Sequence, residues 1–163
     1  MDEIAVSTTI SRSREEVFEY LADIANHAEF TDHFLVDWHL LREDSYGRGA
    51  GARFRVKAPL NRFSWADMTF VEVQAPARIV ERGRGGKFNR IRMLGVYTLS
   101  PGPGGSTRVR YTFETETRLL SDRLLDMLDR AWTKRQLARA MHRLRRILEE
   151  DRDRGSRVST AAR

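Results

Sequence analysis

The sequence predicts an α+β domain in which one curved antiparallel β-sheet of about seven strands wraps around a long C-terminal α-helix, with short helices after strand 1. Two observations carry this. Leu119 to Glu150 holds neither Gly nor Pro and is rich in strong helix formers. Before it lies a succession of short alternating segments separated by turn residues, from Phe34 to Glu116. Strands joined by short turns pair antiparallel, because parallel pairing needs long crossovers. A half-buried meander needs a cover for its apolar face, and the long helix is the candidate.

Ile4 to Ile10 alternates Ile4, Val6, Thr8 and Ile10 against Ala5, Ser7 and Thr9, as a first strand does. Ser13 to Glu16 is a capping box, and Val17, Phe18, Leu21 and Ile24 then form a helical apolar face that should end near Ala25 or Asn26. NHAEFTDH follows as a helical turn or loop. Phe34 to Arg42 reads as a strand with Phe34, Val36, Trp38 and Leu40 on one face, Asp37 and His39 on the other. Ala52 to Ala58 alternates cleanly. Phe63 to Gln74 is a longer strand, with Trp65, Asp67, Thr69, Val71 and Val73 expected inward. Arg78 to Arg82, Ile91 to Leu99 and Arg108 to Glu116 complete the meander, the last with Val109, Tyr111 and Phe113 inward.

In the long helix Ser121 is the expected N-cap. Leu120, Leu124, Met127, Leu128 and Ala131 form one stripe, and Leu137, Met141, Leu144 and Leu148 a second. The stripes do not align, so the helix bends or turns its buried face between Ala131 and Gln136. Residues 1–150 are read as one domain; 151–163, polar and rich in Ser and Arg, are expected to be frayed or disordered.

At 163 residues the chain can bury a core without staples. It has no cysteine, which excludes disulfides and thiolate metal sites. MDEIAVSTTI shows no basic segment before an apolar run, and no window approaches the roughly 20 apolar residues of a membrane span. A soluble, cytoplasmic protein is expected, as monomer or homodimer. The formal charge of +6, mostly from Arg, and a pI near 10.3 favour an anionic partner without establishing one.

Element order and several sequence words together resemble the START-like (SRPBCC) superfamily of helix-grip domains, in its polyketide cyclase/dehydrase and lipid-transport branch. The words are ISRSREEVFEYLADIANHAEF, YGRGAGARFRV, VEVQAPARIVER and LSPGPGGSTRVRYTFE, within Ile4 to Glu150. The resemblance implies a cavity between sheet and C-terminal helix. It does not imply one activity, since such domains include aromatase/cyclases, lipid carriers and hormone receptors.

By strand parity, Trp38, Leu40, Phe54, Val56, Trp65, Asp67, Val71, Met93, Tyr97, Tyr111 and Phe113 face the helix, opposite Met127, Leu128 and Met141. They form either a filled core or the wall of an apolar ligand pocket. Asp67, Tyr97 and Tyr111 are its polar candidates, because buried carboxyl and hydroxyl groups need partners. Asp37 and His39 read as a solvent-facing pair before an acid–base pair. His27, His33 and His39 have no metal-ligand spacing, and Gly47, Gly49 and Gly51 read as a hairpin turn instead of a phosphate loop. Arg135, Arg139, Arg143 and Arg146 form a basic row, either a solvated face or the seat of an anionic partner.

Three functions stay open. The first is binding of a small hydrophobic or aromatic molecule such as a lipid or polyketide. The second is an aromatase/cyclase that orients its substrate and moves protons. The third is an accessory protein with a basic binding surface. No motif calls for a cofactor.

Overall fold

The structure, a computed structural model, describes residues 3–59, 64–116 and 120–159, and for 120–128 the path of the helix alone. The strands are β1 (Ile4–Ile10), β2 (Leu35–Leu40), β3 (Gly51–Val56), β4 (Trp65–Gln74), β5 (Arg78–Gly85), β6 (Ile91–Pro101) and β7 (Thr107–Glu116). Helices α1 (Arg14–Leu21) and α2 (His27–Thr31) lie between β1 and β2, and α3 (Leu120–Glu150) follows β7. All strands form one antiparallel sheet in the order β1-β7-β6-β5-β4-β3-β2. The meander runs in sequence from β2 to β7, and β1 returns to pair with β7.

Ser13 caps α1 as its sequence predicts, its hydroxyl accepting the Glu16 N–H at 3.3 Å. The helix stops at Leu21, earlier than its apolar spacing suggests. Asp23 is the reason: its carboxylate accepts the Ala25 N–H at 3.1 Å and starts a new 3-10 turn, Ile24–Asn26, that leads into α2.

Two bulges overturn the expected facing of β2 and β4. In β2, Asp37 takes a left-handed conformation (φ 53°), so Asp37 and Trp38 together oppose Phe54. Trp38 and Leu40 keep the inward face, but Val36 turns out to pair with Arg55, and Leu35 borders the interior in its place. In β4 the register slips between Phe70 and Glu72. Ala66, Met68 and Phe70 are therefore buried, whereas Trp65, Asp67 and Val71, expected inward, lie on the outer face. Val73 alone of the expected set, beyond the bulge, packs on the core.

The core joins Ile10, Val17, Phe18, Leu21, Phe70, Ile79, Leu99 and Val109 to Leu137, Ala140, Met141, Leu144 and Ile147 of α3. The second predicted stripe of α3 is thus its buried face. Of the first, Ala131 is exposed; the side chains of Leu120, Ser121, Leu124, Met127 and Leu128 lie outside the described residues.

Beyond α3, residues 151–159 turn back onto α2 where fraying was expected; 160–163 lie outside the described residues. Gly155 N–H donates to Glu29 O at 2.8 Å and Val158 N–H to Ala25 O at 3.1 Å, laying residues 151–159 along α2. Gly155 gives the Asp32 side chain room there, since a Cβ would sit 2.1 Å from its carboxylate oxygen and the carboxylate would have to move. Val158 fills a small cluster with Ala25 and Ala28. Arg154 pairs with the buried Glu29, and Arg157 with Asp23 at 2.7 Å.

This fold-back also breaks the basic row. Arg143 is buried, and its guanidinium donates to Asp32, to His33 Nδ1 (3.0 Å), to Glu29 O (3.0 Å) and to Asp153 O (2.8 Å). Arg146 pairs with Asp153 at 2.9 Å. Arg135 and Arg139 remain exposed. Arg143 therefore ties α2, α3 and the tail together. Arg143→Ala is expected to lower unfolding free energy by about 3 kcal/mol, because its buried acceptors lose their donor. Urea unfolding with an unchanged slope checks this.

Candidate functional site

Between the sheet, α2 and the first described turns of α3 lies a cavity of about 600 Å³. Its wall is mostly apolar. Of the predicted pocket residues, Trp38, Phe54, Val56, Met93, Tyr97, Tyr111, Phe113 and Met141 border it. Trp65 borders it too, yet its ring is turned outward, under the Arg53 guanidinium at 5.5 Å and 6.3 Å from His39. Asp67 is withdrawn as a pocket acid: it sits between Arg53 and Arg84 on the outer face, Oδ1 3.5 Å from Arg53 Nε without a hydrogen bond. Val71 is exposed in the β4 bulge. Asp37 pairs with Arg55 at 2.8 Å and His39 lies against Trp65, so they form no acid–base pair.

Besides Asp129, the cavity wall holds the carboxyl of Glu81, which sequence reading passed over. Glu81 on β5 stands beside Gly95 on β6, and Gly95 beside Phe113 on β7. The Tyr111 hydroxyl reaches diagonally across Gly95 and donates to Glu81 Oε1 at 2.7 Å. A Cβ at Gly95 would lie 2.5 Å from both of those oxygens. A glycine inside a strand marks such a close approach, and this was the signal available in the sequence. Tyr97 packs beside the pair, its ring 4.4 Å from that of Tyr111 and tilted by 36° to it.

Burial pushes the Glu81 carboxyl up to about 7, against the opposing pull of the Tyr111 hydrogen bond. The phenols of Tyr97 and Tyr111 are raised, first by burial and then by the nearby Glu81 charge. His27, also in the wall, donates Nε2–H to Leu21 O at 2.8 Å, which leaves Nδ1 as an acceptor. Burial lowers this imidazole to about 4, so it is neutral. His33 is held elsewhere, between Gln136 O and Arg143. The site is thus an apolar chamber with one carboxyl that titrates near neutrality, two phenols and a neutral imidazole. It can align a ligand's polar group and exchange a proton with it.

Because the folded Glu81 holds its proton more tightly than the unfolded chain, its contribution is fully present below pH 4.5 and is lost as pH rises through about 7. Glu81→Gln, which keeps an acceptor for Tyr111, should therefore gain stability relative to the parent above pH 7. The gain approaches roughly 3 kcal/mol and vanishes near pH 4. Thermal melts across that range measure it. Gly95→Ala should cost about 2 kcal/mol by forcing Glu81 and Tyr111 apart, read by denaturant unfolding.

The family model described as "Polyketide cyclase / dehydrase and lipid transport" matches residues 1–149. No curated protein matches the chain. Solved structures share its fold at low identity. TTHA0849 from Thermus thermophilus is 16% identical, with 90% of this chain and 97% of that one covered and a TM-score of 0.67. Truncated norcoclaurine synthase from Thalictrum flavum is 11% identical, with 91% and 94% covered and a TM-score of 0.69. DynU16, described as a putative protein in the dynemicin biosynthetic locus, is 19% identical over 97% of this chain and 50% of that one, with a TM-score of 0.62. A seven-stranded sheet closed on a long helix, a chamber between them and a match over nearly the whole length agree: the chain belongs to the polyketide cyclase/dehydrase and lipid-transport family.

Proposed function

We propose that this protein binds a small hydrophobic or aromatic molecule, lipid-like or polyketide-like, in the chamber between sheet and α3, with the molecule's polar group set against Glu81 and Tyr111. The observation that carries this reading is the cavity itself. Its 600 Å³ falls within the usual range of small-molecule sites, and its wall combines many apolar groups with a few convergent polar ones. The basic row on α3 is left out of the reading, because Arg143 and Arg146 are engaged by Asp32 and Asp153.

Turnover is a second reading, favoured by one observation: Glu81 is buried in the cavity wall and hydrogen-bonded to Tyr111, where burial pushes its carboxyl up to about 7. A carboxyl poised there is available as both acid and base at neutral pH. The ionised form can take a proton from carbon beside a carbonyl, and the neutral form can donate to the carbonyl oxygen. Such steps serve aldol closure and dehydration, as in a cyclase.

Native mass spectrometry of protein from its own host, followed by organic extraction, tests the binding reading. A ligand of defined mass is the expected result; an empty protein that no added hydrophobe stabilises would sink it. Glu81→Gln then separates carrier from catalyst. A carrier retains its ligand within about tenfold, whereas a catalyst loses turnover by a hundredfold or more. Asp67→Asn is the matched control and should change neither.

A further inference from the structure

One end of the sheet carries a loop that ligand binding in the chamber leaves unexplained. Residues 86–90 join β5 to β6, and Gly86, Lys87 and Arg90 border the cavity, the two cations being exposed as well. The cavity therefore opens here. At the tip of the loop Phe88 is 80% exposed, whereas the next large apolar side chain among the described residues, Leu41, is 48% exposed. Phe88 and Asn89 both take left-handed backbone conformations, at φ 58° and 54°. That conformation is strained for a phenylalanine, and no burial of the ring offsets the strain.

The ring is bracketed by cations. Lys87 Nζ lies 5.3 Å and Arg90 Cζ 5.6 Å from its centroid. From Arg82 to Arg92 the chain has five cations and no acid. The same end of the sheet presents a second aromatic under a cation. Trp65 starts β4 opposite the last residues of β5, and its half-exposed ring carries the Arg53 guanidinium.

We propose that this rim docks on an anionic phospholipid bilayer, with Phe88 entering the acyl boundary while Lys87 and Arg90 meet lipid phosphates. An aromatic ring flanked by long cationic side chains suits a layered medium. The ring finds hydrocarbon below, and the cations extend to the charged surface above it. A protein partner fits less well, since a stable protein interface needs roughly 800 Å² per side and the outstanding feature here is one protruding ring. The proposal rests on the chamber holding an apolar ligand. Such a ligand partitions into bilayers, and the loop that reaches the bilayer is also the loop that borders the opening.

The test is co-sedimentation of the whole protein with vesicles of equal parts phosphatidylcholine and phosphatidylserine, against vesicles of phosphatidylcholine alone. Binding to the mixed vesicles that weakens with added salt is expected. Phe88→Ala should weaken it by roughly tenfold or more, as loss of a buried phenyl ring requires. The Lys87→Glu, Arg90→Glu double variant should remove it. Equal melting temperatures of parent and variants exclude a folding defect. Failure of the parent to sediment with mixed vesicles, or equal sedimentation of Phe88→Ala, overturns the proposal, including where the rim instead captures an acidic protein. Nile red binding, measured separately, keeps the two readings apart. Dye uptake without sedimentation defeats the docking and leaves the chamber; sedimentation without dye uptake supports the docking and defeats the chamber.

Discussion

A single long helix has to close a curved sheet of seven strands, and its described side chains fill only part of the concavity. Where α1 and the second half of α3 lie together over the sheet, Phe18, Leu21, Met141 and Leu144 interlock into a solid core. Farther along, α2 and residues such as Trp132 only wall the space. Protein interiors seldom leave voids larger than a water molecule. A chamber with room for about twenty waters is therefore a built feature of the architecture, since each water occupies about 30 Å³. The chamber follows from the mismatch between one helix and a broad curled sheet.

Into that chamber the fold places a carboxyl, at a cost that hydrophobic packing must offset. The cost is contained by a local device. Gly95 omits the one atom that would separate Glu81 from Tyr111, and the phenol supplies the hydrogen bond that a buried carboxyl requires. The low polarity that makes Glu81 hard to ionise also strengthens that hydrogen bond. The same surroundings therefore set both the acidity of the group and its orientation.

The order of elements, the cap at Ser13, the inward faces of β3 and β7 and the buried stripe from Leu137 to Leu148 were all legible, because each rests on an unbroken period. The errors in β2 and β4 share one cause. Reading the alternation straight through from Trp38 or Val73 assumes a regular strand, and one extra residue at Asp37 or Val71 reverses every side chain on the far side of it. That reversal placed Asp67 inside and, with it, the search for a buried acid. Glu81 was missed for a different reason. Its role comes from neighbours on two other strands, and a charged residue in a short strand reads as solvent-facing until Gly95 is set beside it. Composition was a poor guide for residues 151–159: their Ser and Arg content suggests disorder, while their contacts depend on Val158 and on the acids that Arg154 and Arg157 approach.

The fold-back of the last residues onto α2 has a consequence for the order in which the molecule comes together. The segment holding His27 and Phe30, one wall of the chamber, is anchored by Arg143, Arg154 and Val158, more than a hundred positions later in the chain. Contacts of such separation cannot form on a ribosome until residues 143–158 have left it. The wall therefore takes its anchored form only once residues 143–158 are available to it, and a chain that stops short of them must hold His27 and Phe30 in place without that brace.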